Sequence, residues 1–348
     1  MTRVASAWDD DRHKNIKRPH SRTTLSMRAA ALAWSAILIG VIALIPRSFA
    51  ASSPSVVGPR TSAVEVIRTI LQTPEHKIDL ARAKLTFDKL VDPAIDIDAS
   101  LAQINRMVET VRSMAGPAAS NKQKLTAVRD YIYVSGAWNG HRPYQYDLAD
   151  PLGEKIANKL LPNYIASRRG NCITMPFLYI ILAERMGLRA TASLAPLHVF
   201  VKYTDDATGR TFNIETTSGA HATRDAWYRE KMPMTDESIR NGVYMRALSK
   251  KETLAVMAEV VVEHYRDSAR YEEAIAVSEV ILAAFPNSVH TMLGRGTAAA
   301  HLLESNFYQK YPTPADIPFS LQREYARLVD INRSSFEQAE ALGWRPAE

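Results

Sequence analysis

Three residues in the middle of the chain have the types and the order needed for nucleophilic attack on an amide. Cys172 is the one cysteine among 348 residues, and His198 and Glu215 follow it along the chain. A thiolate is a strong nucleophile, a histidine can take the thiol proton, and a carboxylate can hold the imidazole in the required tautomer. This set of residues indicates a cysteine-dependent acyl-transfer site.

The residues around Cys172 predict that the thiol lies at the start of a helix. Gly170 and Asn171 precede it, and the apolar run that follows predicts a helix over residues 170–187, with Asn171 as the cap and Gly187 at the end. Unpaired amides and the dipole at a helix N-terminus stabilise a thiolate. The alternative is a small buried apolar residue, which is what most lone cysteines are.

The other two residues are predicted on neighbouring strands of a hairpin. Alternation and turn signals predict strands over Arg189–Ala195, Val199–Tyr203 and Thr211–Thr216, with a turn at Asp205–Gly209. This arrangement brings His198 close to Glu215 and places His198, Phe200 and Lys202 on one face. Taken singly, His198 could be a hydrogen-bonded histidine at a strand entry, and Glu215 a solvated carboxylate.

Helical patterns precede the hairpin. Residues 61–140 have largely helical spacing, with Asp98 as a possible cap and a helix predicted over Asn121–Ser135. Six further side chains come from the loop-rich stretch 136–153 and from the residues before Cys172. The aromatic and amide side chains could line a cleft or donate to an oxyanion, or they could simply pack. The arginines could steer a substrate, or they could be solvated surface charges. The six are Trp138, Asn139, Tyr144, Tyr146, Arg168 and Arg169.

The chain becomes helical again from Glu252. Tyr265, Ala274 and Pro286 have the spacing of the tetratricopeptide consensus. A second, broken unit is expected over residues 289–301, resuming at Arg333 after an insertion around residues 311–314. One good repeat with one degenerate repeat is too short to stand alone, so the tail is expected to pack on the central domain. Helices, then an antiparallel sheet, then helices make the predicted fold class α+β with an all-α tail.

The N-terminal region predicts export. Residues 1–50 contain eight Arg or Lys and three Asp, which is +5 of the net charge of +6, so the basic charge gives no reason to expect nucleic-acid binding. Residues 29–46 are uncharged, which fits a signal peptide cleaved after Ala50 or an uncleaved inner-membrane anchor; a buried core helix is the third reading. Residues 51–61 are expected to be a linker. A lone cysteine excludes an intrachain disulfide, so an exported free thiol favours a reactive role.

The motifs together resemble the transglutaminase-like superfamily, whose fold is papain-like. The resemblance is to the bacterial branch that carries C-terminal tetratricopeptide-like helices. It implies a domain over residues 62–250 and a helical region over residues 251–348, with Cys172 as nucleophile, His198 as general base and Glu215 at the usual aspartate position. The matching segments are Gly170-Asn171-Cys172, Met186-Gly187-Leu188-Arg189-Ala190, His198-Val199-Phe200-Val201 and Asn213-Ile214-Glu215-Thr216-Thr217.

The expected function is an exported, periplasmic, secreted or membrane-anchored cysteine hydrolase or acyltransferase. It would act on a peptide or protein amide through a thioester at Cys172. The alternative is a non-catalytic peptide- or protein-binding module built on a degenerate cleft and the helical tail. We expect no cofactor, no metal and no nucleic acid, a possible protein partner at the tail, and membrane contact only through residues 29–46 if these are not removed.

Overall fold

Residues 62–346 of the computed structural model are described here, and residues up to Arg345 in this range belong to one compact unit. The predicted leader, residues 1–50, and linker, residues 51–61, lie outside the described residues. Within residues 62–346, no helix is both long enough and apolar enough to cross a membrane.

The helices of eight residues or more are α1 (Ala63–Gln72), α2 (Leu80–Val91), α3 (Ile97–Ala115), α4 (Asn121–Tyr133), α6 (Thr174–Arg185), α9 (Lys250–Asp267), α10 (Tyr271–Ala284), α11 (Val289–Leu303) and α12 (Phe319–Ala341). Shorter helices are α5 (Leu161–Ser167), α7 (Asp225–Lys231) and α8 (Asp236–Arg240).

The first four helices begin at side-chain caps. The cap of α3 is Asp96, whose Oδ1 accepts from the Ala99 amide at 3.0 Å. The prediction that Asp98 caps this helix was therefore wrong, and Asp98 lies in the first turn. Helix α4 ends at Tyr133, two residues earlier than predicted, because Val134 has extended backbone angles.

Helix α6 is the centre of the core. Every side chain from Thr174 to Ala183 is buried, which fits a helix that is apolar on all sides. It begins at Thr174, so the predicted start at residue 170 was wrong and Cys172 precedes the helix. Pro176 falls in the first turn, where the missing amide breaks no helical hydrogen bond. Gly187 follows the helix with a φ of +74°, the left-handed region that glycine tolerates.

A four-stranded antiparallel sheet lies after α6. Its strands are β3 (Arg189–Ala195), β4 (His198–Thr204), β5 (Thr211–Glu215) and β6 (His221–Thr223), in that order. The first three match the predicted strands to within one residue, and β6 was not predicted. The two faces of β4 separate as alternation predicts, since Val199, Val201 and Tyr203 join the main core while Phe200 joins a smaller cluster on the other side.

The C-terminal region is entirely helical, as predicted. Helices α9 to α12 pack consecutively, each against the next. The helix that was expected to resume at Arg333 begins earlier, because α12 starts at Phe319. The region contacts the core directly: Lys159 pairs with Glu263, and the Lys251 amide donates to Glu75 at 3.1 Å. The α+β class with an all-helical tail is confirmed, whereas the tetratricopeptide-like character and the domain boundary at residue 250 stay predictions.

Candidate active site

His198 and Glu215 form a buried pair. His198 Nε2 lies 2.8 Å from Glu215 Oε2, and the two side chains are 9% and 2% exposed. The pairing of Val201 with Ile214, continued by one residue, sets Glu215 opposite Phe200, and His198 lies two residues before Phe200 on the same face. The hairpin thus brings together two residues that are 17 positions apart.

Four donors hold the Glu215 carboxylate. Oε1 accepts from the amide and the hydroxyl of Thr217 at 2.9 and 2.6 Å, and Oε2 accepts from His198 and from the Tyr228 hydroxyl at 3.0 Å. Burial raises the pKa of Glu215, but the hydrogen bond and charge of His198 and the Thr217 donors outweigh it, so the pKa is lowered overall. Glu215 is therefore an ionised, fixed acceptor for the imidazole N–H.

Tyr228, which sequence reasoning missed, is part of this network. It lies on the seven-residue helix α7, is fully buried, and stacks on Phe200 with ring centroids 4.1 Å apart. The helix is held to the sheet because Asn213 Nδ2 donates to Asp225 at 2.5 Å and to the Thr223 carbonyl at 3.0 Å. A tyrosine on a single short helix has no periodicity that would mark it as a partner of Glu215.

Cys172 lies beside the histidine. Its side chain is half-buried, in the turn before α6, and its Sγ donates to the Leu197 carbonyl oxygen at 3.8 Å. Burial lowers the pKa of His198, but hydrogen bonds and charge from Cys172 and Glu215 raise it to about 9. Because Nε2 is bonded to Glu215, Nδ1 is the ring nitrogen that remains for the thiol.

The turn that carries Cys172 is fixed by its backbone neighbours. A short parallel pair joins β1 (Gln145–Tyr146) to β2 (Arg169–Gly170), and the Asp147 amide donates to the Gly170 carbonyl at 2.7 Å. A Cβ on Gly170 would lie 2.5 Å from the Tyr164 ring, so glycine is required here by close approach rather than by a positive φ.

Asn171 caps the following helix, as predicted. Its buried Oδ1 accepts from the amides of Ile173 and Thr174 at 3.0 and 3.1 Å, and its Nδ2 donates to the Asn158 carbonyl at 3.2 Å. In the described part of the chain, the Cys172 amide has no hydrogen-bond partner. The backbone N–H of the thiol-bearing residue therefore remains able to donate to a ligand.

The aromatic and amide side chains of the preceding loop have structural roles. Asn139 Nδ2 donates to the Tyr131 and Val134 carbonyls at 3.0 and 2.7 Å, and Trp138 Nε1 donates to the Asp130 carbonyl at 3.0 Å. Neither side chain is free to donate to an oxyanion, so the alternative that Trp138 or Asn139 supplies an oxyanion donor was wrong.

The remaining loop candidates are also occupied. Tyr144 is buried edge-to-face against Tyr164, and the Tyr146 hydroxyl donates to the Pro151 carbonyl at 2.6 Å. Arg168 bonds backbone carbonyls and lies over the Tyr144 ring, whereas Arg169 is exposed. In residues 62–346, no group of three or more His, Cys, Asp or Glu side chains is placed to hold a metal ion.

One of the comparisons with known proteins finds a match. Residues 98–259 match the family model Transglut_core2, described as transglutaminase-like superfamily. Searches of curated proteins and of solved structures found no match. The match spans α3 to α9 and includes Cys172, His198 and Glu215, but it gives no support to a particular branch or to a tetratricopeptide-like tail. Over residues 98–259, this chain is similar to the transglutaminase-like superfamily.

Proposed function

We propose that this protein is a cysteine-dependent hydrolase or acyltransferase that attacks a peptide or protein amide. The observation that carries the proposal is the buried His198–Glu215 pair in contact with the half-exposed Cys172. Two buried polar groups are ordered toward one reactive atom at the surface, which is the arrangement that nucleophilic catalysis requires.

The chemistry follows from the roles of the three side chains. His198 takes the Cys172 proton, and Sγ forms a bond to the amide carbon. As the tetrahedral intermediate collapses, His198 returns that proton to the leaving nitrogen and a thioester remains. Water or an amine then attacks the thioester, with His198 again taking a proton, and the thiol is regenerated. Glu215 orients the imidazole and stabilises its charged form throughout.

The free Cys172 amide supports the first step. A backbone N–H directed at the attacked carbonyl stabilises the oxyanion that forms there. The neighbouring amides of Ile173 and Thr174 are used by Asn171, which leaves the Cys172 amide as the donor nearest the nucleophile. The same cap keeps the turn rigid, so the donor stays in place as charge develops.

Thiol labelling tests the proposal. We expect iodoacetamide to alkylate Cys172 in the folded full-length protein at pH 7 much faster than it alkylates a free cysteine, and intact mass will report a single adduct that Cys172→Ser lacks. Under this mechanism, p-nitroanilide or protein amide substrates will also give an acyl adduct of Cys172. Labelling that occurs only in denaturant would overturn the proposal and favour a binding module with a degenerate cleft.

We infer, separately, that the protein acts outside the cytoplasm. The inference depends on residues 1–50, where a basic segment precedes the uncharged stretch 29–46 and the small-residue site ending at Ala50. Expression of the full chain followed by intact mass of the exported form distinguishes the outcomes. A mature N-terminus at Ala51 indicates a signal peptide, an uncut chain in the membrane fraction indicates an anchor, and an uncut cytosolic chain contradicts export.

A further inference from the structure

Three of the most exposed large apolar side chains lie on segments that contact the turn carrying Cys172. Four such side chains are at least 79% exposed: Phe319 at 90%, Leu148 and Leu152 at 80%, and Leu197 at 79%. Three of these four lie on the two segments that contact the Cys172 turn. Single exposed apolar residues are ordinary, but several of them on segments that adjoin one reactive residue indicate a binding surface.

Leu197 approaches the thiol from the hairpin side. It is the second residue of the two-residue turn between Ala195 and His198, and its carbonyl oxygen is the 3.8 Å partner of Cys172 Sγ. Its φ is +56°, a conformation that is strained for a bulky side chain. Strain of this kind persists where the surrounding structure over-determines it, most often at functional sites. The turn therefore keeps an exposed leucine next to the nucleophile at a conformational cost.

Leu148 and Leu152 lie on the second segment, which contacts the residues just before Cys172. Asp147, just before Leu148, binds the Gly170 carbonyl through its amide. Gly153, just after Leu152, lies so close to Asn171 that a Cβ there would be 2.9 Å from Nδ2. The loop between them is tied down by the buried Asp150, which accepts from the Glu154 amide at 2.8 Å and from Asn158 at 2.7 Å. Its two leucines are thus displayed from an ordered loop.

We propose that Leu148, Leu152 and Leu197, which we call the leucine rim, bind an apolar side chain adjacent to the carbonyl that Cys172 attacks. The proposal rests on the proposed function and adds a substrate class to it. The substrates are peptides or acyl donors with a bulky aliphatic or aromatic side chain beside the scissile amide. Because the Leu197 carbonyl contacts Sγ, an acyl group bound at that sulfur lies close to the rim, which can then select among substrates.

Covalent probes of different size test the rim. Acetyl-leucyl chloromethyl ketone and acetyl-glycyl chloromethyl ketone both form an S–C bond to Cys172 with loss of chloride and of the thiol proton. They differ only in the apolar side chain. In the full-length protein we expect the leucyl probe to react at least about tenfold faster, which is the discrimination expected when a pocket buries one aliphatic side chain. Iodoacetamide, which has no side chain, measures thiol reactivity alone.

The variants keep the backbone and remove the apolar surface. Leu197→Asn retains a residue that tolerates positive φ, and Leu148→Ser with Leu152→Ser changes only exposed positions. We expect each to reduce the leucyl preference, taken as the ratio of the leucyl to the glycyl probe rate in the same variant, to below about threefold. Phe319→Ser, which removes an equally exposed ring from α12, is the matched control and should change neither rate.

The outcomes separate the two proposals. Slow iodoacetamide labelling of the unmodified protein would reject the proposed function itself. Fast labelling without any preference for the leucyl probe would reject the rim alone. A preference that survives both rim variants would also reject it, as would a shift from dimer to monomer in those variants by light scattering, because the leucines would then belong to an interface with a second copy.

Discussion

Two buried charge pairs in this protein illustrate the difference between a scaffold and a site. Lys84 and Asp88 on α2 are both fully buried. His198 and Glu215 on the sheet are nearly as inaccessible, at 9% and 2% exposed side chain. Desolvation opposes charge in both places, so each pair depends on additional hydrogen bonds. What distinguishes them is whether any member contacts a group that solvent can reach.

We call the Lys84–Asp88 pair closed, because its further hydrogen bonds are to backbone groups of the same fold. Lys84 Nζ also donates to the Lys159 carbonyl at 3.0 Å, and Asp88 Oδ2 accepts from the Leu161 amide at 2.8 Å. Both partners lie in the segment that leads into α5. The pair therefore joins α2 to the start of α5, which contributes Tyr164 to the packing beneath Gly170.

We call the His198–Glu215 pair open, because one of its members interacts with a group that solvent can reach. The carboxylate has its full set of donors, but His198 also interacts with the half-buried thiol of Cys172. Burial of the carboxylate fixes the ring, and exposure of the sulfur lets a substrate approach it. This asymmetry is the physical basis for assigning chemistry to one pair and architecture to the other.

Replacing the histidine should produce the largest change in reactivity. In His198→Ala the thiol loses its proton acceptor, so we expect the iodoacetamide rate at pH 7 to fall roughly 10²- to 10⁴-fold, the usual contribution of a positioned base. Rates are followed by intact mass. The matched control is His221→Ala, an exposed histidine whose backbone pairs with that of Glu215. If both variants label at the unmodified rate, Cys172 and His198 are not a functional pair.

Replacing a member of the closed pair should lower the stability of the protein. Lys84→Met leaves Asp88 buried without its counter-charge, and we expect the free energy of unfolding to fall by about 3–5 kcal/mol. Urea denaturation measures the loss. The double variant Lys84→Met with Asp88→Leu should recover much of it, since both charges are then removed. A large change in the iodoacetamide rate of folded Lys84→Met would contradict the separation of scaffold from site.

The open pair was predictable from the sequence because strands have a simple period. Alternation placed His198 and Phe200 on one face, and the turn at residues 205–209 set the register that brings Glu215 near. The start of α6 was not predictable to the residue, because it depends on the Asn171 side chain capping the helix two positions after the thiol. Tyr228 could not be found, since its role depends on how α7 packs across Phe200.

The closed pair shows a further limit of sequence reasoning. Lys84 and Asp88 have the i, i+4 spacing of an exposed helical ion pair, and nothing local marks them as buried. Their burial follows from the packing of the segment around Lys159 and Leu161, more than 70 residues away in the chain. Local period predicts elements and faces, whereas the partners of a buried charge depend on tertiary packing.

The free energy of unfolding should depend on pH through the open pair. The pKa of His198 is raised from 6.5 to about 9, so its charged form stabilises the fold fully below pH 6.5 and that stabilisation is lost as the pH rises through 9. We expect a decrease of up to roughly 3 kcal/mol in unfolding free energy over this window, from about 1.4 kcal/mol per pKa unit. Urea denaturation at several pH values measures it.

Glu215→Gln is the matched variant for that pH dependence. It keeps the size of the side chain but removes the carboxylate charge that, together with Cys172, raises the pKa of His198. We expect the His198 titration, followed by its ring proton resonances, to move down from about 9 toward the ordinary value of 6.5. The stability decrease above pH 6.5 should shrink with it. An unchanged titration would mean that the carboxylate does not control the imidazole.

The smallest expected effect comes from Tyr228→Phe, which acts on the open pair through Glu215 alone. The ring and its stacking on Phe200 remain, but the buried carboxylate loses one of four donors, which we expect to cost about 1.5–2 kcal/mol of stability. A carboxylate with fewer donors holds the imidazolium proton more strongly, so the titration profile of the His198 ring protons should shift upward while the Cys172 labelling rate at pH 7 changes less than about tenfold. Tyr244→Phe, a buried tyrosine in the same apolar cluster, should leave the profile in place. Equal profiles for both variants would assign Tyr228 to packing and leave His198, Thr217 and the charge of Glu215 as the whole of the open pair.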